Sequence, residues 1–184
     1  LQQWFVRLAF WGFFIFAAVD LHGAFHFLLL NSILAYVPIE LSFWLTPRRS
    51  PLLFWLIAVI WLLFYPNAPY LMTDLFHLSL LKPYGINGLL RFDLPMWRDF
   101  AYLVGPMMVS TIIGTWGVDR IAQQLTQRLH FQRLPASRGI ICAALFLFAS
   151  VGVYVGRFLR LHSIYLLITP QYIVKQLVEM WSLK

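Results

Sequence analysis

Five long apolar runs, separated by short polar stretches, leave this chain few ways to fold. In lipid every backbone N–H and C=O has to find a partner inside the protein, so only helices and closed barrels cross a bilayer. About 20 apolar residues span the hydrocarbon core as a helix. The short alternating strands of a barrel are not seen. The expected fold is therefore all-α: a polytopic transmembrane helical bundle of about five spans. A re-entrant or interfacial helix is expected after span three, and an interfacial helix at the C-terminus. The chain is 61% hydrophobic and 11% charged, whereas a soluble domain carries about a quarter charged residues. Residues 1–184 read as a single integral-membrane domain.

The spans are expected over Trp4–Val19, Phe27–Leu45, Leu52–Tyr65, Phe100–Val118 and Gly139–Phe158. Arg7 near the start of the first can snorkel to the headgroups. The second contains Asn31, Pro38 and Glu40, so it faces other helices as well as lipid. Glu40 is expected to meet Arg48 or Arg49 in the following loop. Trp97 and Asp99 read as a boundary anchor and the N-cap of span four. The stretch Asp119–Arg138 is polar and basic, with Ile121, Leu125 and Leu129 at helical spacing. It reads as an amphipathic helix on the membrane surface. The first run reads as a retained span and not a signal peptide.

Net charge is +7. In a membrane chain this reflects loops beside anionic lipid, and no nucleic-acid-binding motif accompanies it, so the expected partner is membrane lipid and not nucleic acid. A protein partner or a homo-oligomer is compatible with the same sequence. Cys142 is the single cysteine, so no intrachain disulfide forms. Seven Lys/Arg fall on each side of the membrane when the tail is included. Asp20, Asp74, Asp93 and Asp99 fall on one side and offset its arginines. The other side, with Arg48 and Arg49, is then expected to be cytoplasmic, with the protein multi-pass in the cell membrane.

The most unusual stretch is Tyr65–His77, where two prolines, Asn67, Thr73, Asp74 and His77 interrupt the apolar pattern. Polar and helix-breaking residues at membrane depth are costly, which marks a candidate functional site. Asn67 can cap a new helix over Ala68–Leu81, with Pro69 in its first turn. Tyr70, Thr73, Asp74 and His77 then share one face at spacings of three and four. Asp74 and His77 are the catalytic candidates. An Asp74 carboxylate accepting from the His77 imidazole would raise the basicity of its other nitrogen. The same pair also reads as a hydrogen-bonded structural clasp. Asn67, Tyr70 and Thr73 are candidates for substrate binding. So are Arg157 and Arg160, whose guanidiniums one turn apart suit phosphate or carboxylate. Interfacial anchoring or pairing with Asp74, Asp93 or Asp99 is the alternative for them. His22 and His26, with Asp20 nearby, have a spacing that can share a divalent metal such as zinc. Gly23 between the two histidines argues for a plain turn instead.

The Pro66-Asn67-Ala68-Pro69-Tyr70 run, followed by Thr73-Asp74 and His77, resembles a family of bacterial predicted membrane proteins of unassigned function. Trp97 and Asp99 resemble its segment before span four, and Gly156-Arg157-Phe158-Leu159-Arg160 its motif after span five. There the family continues with Asn-Ser-Trp-Asp, whereas this chain has His162-Ser163-Ile164-Tyr165. The resemblance implies that an acidic position is lost at Tyr165, and that a further C-terminal span found in relatives is lacking here. It supplies no chemistry. Two functions fit the residues. One is an enzyme at the membrane surface acting on a lipid or lipid-linked phosphate. The other is a small transporter or complex subunit in which the motif helix is a gate or a structural element.

Overall fold

The computed structural model describes residues 2–20, 27–134, 136–158 and the single positions Gln171 and Lys175. Among them, five helical stretches are long and apolar enough to cross a membrane. Helix α1 is Gln2–Asp20, α2 is Phe27–Trp44 and α3 is Pro51–Phe64. A short α4, Asn67–Tyr70, leads into a 3-10 helix over Leu71–Leu81. Helix α5 is Leu94–Arg128 and α6 is Ser137–Phe158, with a single 3-10 turn, Phe131–Arg133, between them. No β-strand occurs among the described residues; one isolated antiparallel bridge, Tyr84 to Leu90, pinches the loop after the 3-10 helix. The C-terminal interfacial helix expected from Thr169 lies outside the described residues.

The third span does not stop at its prolines. Tyr65 and Pro66 keep right-handed helical dihedrals, as do Tyr70 and Leu71. The run then descends α5 step by step. Trp61 packs with Val118, Ala68 and Leu71 with Met107, and Leu78 and Leu81 beside Leu103. The segment expected as a separate re-entrant or interfacial helix over Ala68–Leu81 is thus the second half of one span, Pro51–Leu81. Alone, the 14 residues of α3 reach only about 21 Å at 1.5 Å per residue, short of the roughly 30 Å hydrocarbon core.

Helix α5 differs from the expectation at both ends. It starts at Leu94, with Pro95 in its first turn, where a fixed φ and a missing N–H cost nothing. Asp99 therefore lies inside the helix beside Arg98 and is not its N-cap. The helix then runs unbroken to Arg128, so residues 119–128 continue α5 and are not a separate helix. Their apolar positions Ile121 and Ala122 are buried with Trp61, Leu145 and Ala149 of α3 and α6. Arg128 reaches the Pro47 carbonyl at 2.9 Å and covers the Phe54 ring.

Glu40 also finds a different partner. Arg7 of α1 donates to it from Nε and Nη2 at 2.7–3.2 Å, Tyr36 Oη at 2.7 Å and Trp44 Nε1 at 2.6 Å. Arg49 instead donates to the Trp44 carbonyl. Tyr36, Glu40 and Trp44 are one helical turn apart, so α2 itself presents most of the cluster and α1 brings the cation. Below it, Phe10 packs tilted and Phe14 edge-on against Tyr36.

Two polar levels mark the depth of the bundle. At one end Tyr102 donates to Asp20 at 2.8 Å. At the other sit Arg120, the Arg138–Asp119 pair and the Arg7–Glu40 pair. Tyr102 and Arg120 are about 27 Å apart along α5, close to the thickness of a hydrocarbon core.

Candidate functional site

Proline at positions 66 and 69 removes two backbone donors, so the helical ladder of the third span is interrupted there. The chain repairs it locally. The Ala68 N–H bonds the Tyr65 carbonyl, and the Tyr70 N–H bonds the Pro66 carbonyl. The Asn67 side chain turns back and donates to the Phe64 carbonyl at 2.9 Å. Asn67 therefore closes the end of α3 and does not cap the helix that follows. A donor was needed more than an acceptor, because the missing proline N–H groups leave carbonyls without partners.

Three glycines press this break into place. A Cβ on Gly152 would meet the Pro66 ring at 2.4 Å, one on Gly156 the Tyr70 ring at 3.3 Å, and one on Gly114 the Ala68 Cβ at 2.9 Å. Small residues let helix backbones approach closely in a membrane. Pro66 and Tyr70 thus sit on a Gly-x-x-x-Gly ridge of α6, while Ala68 sits on α5. Gly114 lies about 18 Å along α5 from Tyr102 and about 9 Å from Arg120. The break thus lies about a third of the way in from the Arg120 level.

Beyond the break the 3-10 helix turns with three residues per turn, so residues three apart eclipse one another. Leu71, Asp74 and His77 fall in one row, and Tyr70 and Thr73 in the next. Asp74 is 3% exposed, and its Oδ2 accepts from Asn31 Nδ2 of α2 at 2.8 Å. Asn31 is one turn from Leu28, which packs with Leu103 and Ala17 near the Asp20–Tyr102 level. Asp74 therefore lies about one turn, some 5 Å, inside that level.

His77 does not hydrogen-bond the Asp74 carboxylate as expected. Its Nδ1 is 2.9 Å from the Asp74 backbone carbonyl. A carbonyl can only accept, so Nδ1 carries the proton, and in the neutral ring Nε2 is left as an acceptor. The ring lies 4.3 Å from that of Phe27 at 34°. The i, i+3 spacing of a 3-10 turn brings the imidazole over the carbonyl, a route that α-helical geometry would not favour. Thr73 makes the same kind of bond, donating to the Tyr70 carbonyl at 2.7 Å.

Arg157, at the end of α6, places its guanidinium 5.2 Å from the Phe76 ring. It forms no ion pair within 4 Å among the described residues, but its charge reaches Asp74. Asp93 pairs with Arg91 and Asp99 with Arg98. The structure thus gathers Asn31, Asp74, His77, Phe76 and Arg157, places Tyr70 and Thr73 on the adjoining row, and leaves Asn67 to the helix break. Arg160, His22 and His26 lie outside the described residues. Asp20, expected beside those histidines, accepts from Tyr102. Among the described residues no three His, Cys, Asp or Glu side chains come together as a metal site would require. Asn31 was legible as a polar residue in span two, but its pairing with Asp74 was not. Phe27 and Phe76 carry no sequence signal beyond being aromatic.

The fold and these side chains define a multi-pass helical membrane protein with a polar cluster enclosed in one half of its bundle. The chain belongs to the family described as Protein of unknown function (DUF1361), which matches residues 30–184. Helix α1 lies outside the matched region. Neither the curated proteins nor the solved structures contain a match to the chain.

Proposed function

We propose that the protein acts on a lipid or lipid-linked phosphate in the half of the membrane that holds Asp74, His77 and Arg157. The observation that carries this is Arg157: a guanidinium stacked on Phe76 with no carboxylate in ion-pair reach among the described residues. Such a cation suits an anionic headgroup. His77 stands on the same side with a fixed tautomer and an accepting Nε2, the form a general base takes. Asp74 polarises this neighbourhood while Asn31 holds its carboxylate. Tyr70 and Thr73 line the approach, and Arg160, three residues on in the sequence, would supply a second guanidinium. A divalent metal is a narrower version of the same reading. It would draw on Asp20, His22 and His26, and metal analysis of purified protein tests it.

Lipid analysis of cells lacking the protein tests the main reading. A lipid or lipid-linked intermediate should accumulate and be cleared by the wild-type chain but not by His77→Ala or Arg157→Gln. Clearance by both variants would refute it. The same end of the bundle is proposed to face outward from the cell membrane. A cysteine at Asn87 should then react with an impermeant reagent in intact cells, and protection would reverse the orientation.

A second reading has its own support in the depth of the helix break. Discontinuous helices within the membrane are a feature of transporters, and the break at Pro66 lies inside the bundle, between its two polar levels. In this reading the motif is a gate, or a contact surface for a partner or a second copy. Flux in proteoliposomes supports it; its absence, with no stable partner recovered, removes it.

A further inference from the structure

Helix α1 leans on α2 and leaves a furrow between itself and α5. The furrow holds two clefts, of about 630 and 310 Å3. The larger is lined by Phe5, Val6, Ile112, Ile113 and Trp116, with Gln2 at its mouth. The smaller continues towards Tyr102 past Gly105 and Val109. A Cβ on Gly105 would meet nothing within 4 Å, so no protein atom fills the space beside it. From Tyr102 to Trp116 the furrow runs about 21 Å along α5, the reach of a long extended acyl chain.

Beside Trp116 stands a charge with no counterpart among the described residues. Arg120 stands with its Cζ 5.2 Å from the Trp116 ring and 5.7 Å from the Phe43 ring. Its Nε is buried without a hydrogen-bond partner. Among the described residues no carboxylate lies within ion-pair distance of it. The neighbouring cation, Arg7, also faces Phe43 but is neutralised by Glu40. Asp119, next in sequence, is taken by Arg138. A buried polar atom without a partner is costly, and a guanidinium positioned by two aromatic rings offers its remaining N–H groups to an anion such as a phosphate.

We infer that this furrow is a binding site for an anionic phospholipid of the leaflet opposite the Asp74 site. One acyl chain lies along α1 and α5, and the phosphate bonds Arg120. Charge complementarity selects the lipid: apart from Gln2 and Tyr102 the walls are apolar, and the uncompensated charge beside Trp116, one turn beyond the larger cleft, is positive. A transmembrane helix from a second copy would satisfy the walls but not Arg120. The site is separate from the Asp74 cluster and does not depend on the function proposed for it.

The full chain, in nanodiscs containing equal phosphatidylglycerol and phosphatidylcholine, should be released into the gas phase with phosphatidylglycerol bound. Arg120→Gln should lower that retention at least about ten-fold, as expected for losing a charge-assisted hydrogen bond, without changing retention of phosphatidylcholine. Val109→Trp, which fills the furrow from its lipid-facing side while keeping Arg120, should lower retention of both. It also decides the matter if Arg120→Gln does not fold. Unchanged phosphatidylglycerol retention in a folded Arg120→Gln or in Val109→Trp overturns the inference. So does a dimer along α1 and α5 that carries no phospholipid.

Discussion

Replacing Gly152 by alanine should separate α6 from the helix break, and the size of the effect follows from the contact. The new methyl would stand 2.4 Å from Pro66 Cγ and 2.7 Å from its Cβ. Carbon atoms settle at about 3.5–4.0 Å, so one partner has to retreat by about 1 Å. The pyrrolidine ring is tied to the backbone at both ends and cannot swing away as a free side chain would. Overpacking of this kind costs roughly 1–3 kcal/mol. Alanine returns about 1 kcal/mol in helix propensity, so a net loss of up to about 2 kcal/mol is expected. Three other positions calibrate it. Gly114→Ala meets the Ala68 methyl at 2.9 Å and should lose less. Gly156→Ala meets only the edge of the Tyr70 ring at 3.3 Å, which can pivot, and should be near neutral. Gly105→Ala enters open space and should be neutral or stabilising. Thermal denaturation in one detergent, read as the fraction remaining monodisperse, orders the four. If Gly152→Ala is as stable as Gly105→Ala, α6 does not rest on Pro66 and the account of the break is wrong.

Three further substitutions probe the polar contacts. Asn31→Ala should destabilise by about 1–3 kcal/mol by leaving the buried Asp74 carboxylate unpartnered. Adding Asp74→Leu should recover part of that loss in the same melting assay, and simple additivity would refute the pairing. Asn67→Asp should be worse than Asn67→Ala, since a carboxylate cannot donate to the Phe64 carbonyl and repels it; the reverse order in melting temperature counts against the repair described. Glu40→Ala should cost about 1.5–3 kcal/mol and loosen α1, seen as faster tryptic cleavage at Arg7, with unchanged cleavage the contrary outcome.

The bundle was legible because span length and backbone satisfaction in lipid depend on local sequence alone. Pairing between spans was not, because it depends on how each helix is rotated and how far it is shifted. Glu40 shows this. Loop arginines near it in sequence were the obvious partners, yet Arg7, 33 residues away, occupies the same level of the bundle. The spacing of Tyr36, Glu40 and Trp44 did hold the local half of that cluster. At the motif, Tyr70, Thr73, Asp74 and His77 were identified as polar residues on one helix, but an α-helical pitch was assumed. The change to three residues per turn moves Asp74 and His77 into a single row and directs the imidazole to a carbonyl. Nothing in the composition of Leu71–Leu81 announces that pitch. The extent of the third span is hidden for a related reason: the prolines at 66 and 69 read as its end, although the 14 residues of α3 are too few to cross.

The long 3-10 helix is where the two functional readings can be told apart. Runs of this geometry beyond three or four residues are uncommon and their hydrogen bonds are poorer than those of an α-helix, yet this one has 11 residues. Its N-terminal neighbour is held by Gly114, Gly152 and Gly156, and at its far end Lys82 turns left-handed with φ 45°. Motion is therefore directed into the segment itself. Rewinding it to an α-helix would shorten it by about 5.5 Å, from 2.0 to 1.5 Å per residue. That would also rotate His77 relative to Asp74 and Arg157 while Pro66 stays in place. A gate needs such a change, whereas a fixed acid–base site needs its absence. Amide hydrogen exchange in nanodiscs reads the difference. If the gate reading holds, amides of Leu71–Leu81 exchange markedly faster than those in the second half of α3 at comparable burial. Equal protection in the two segments would remove the gate and leave the rigid site.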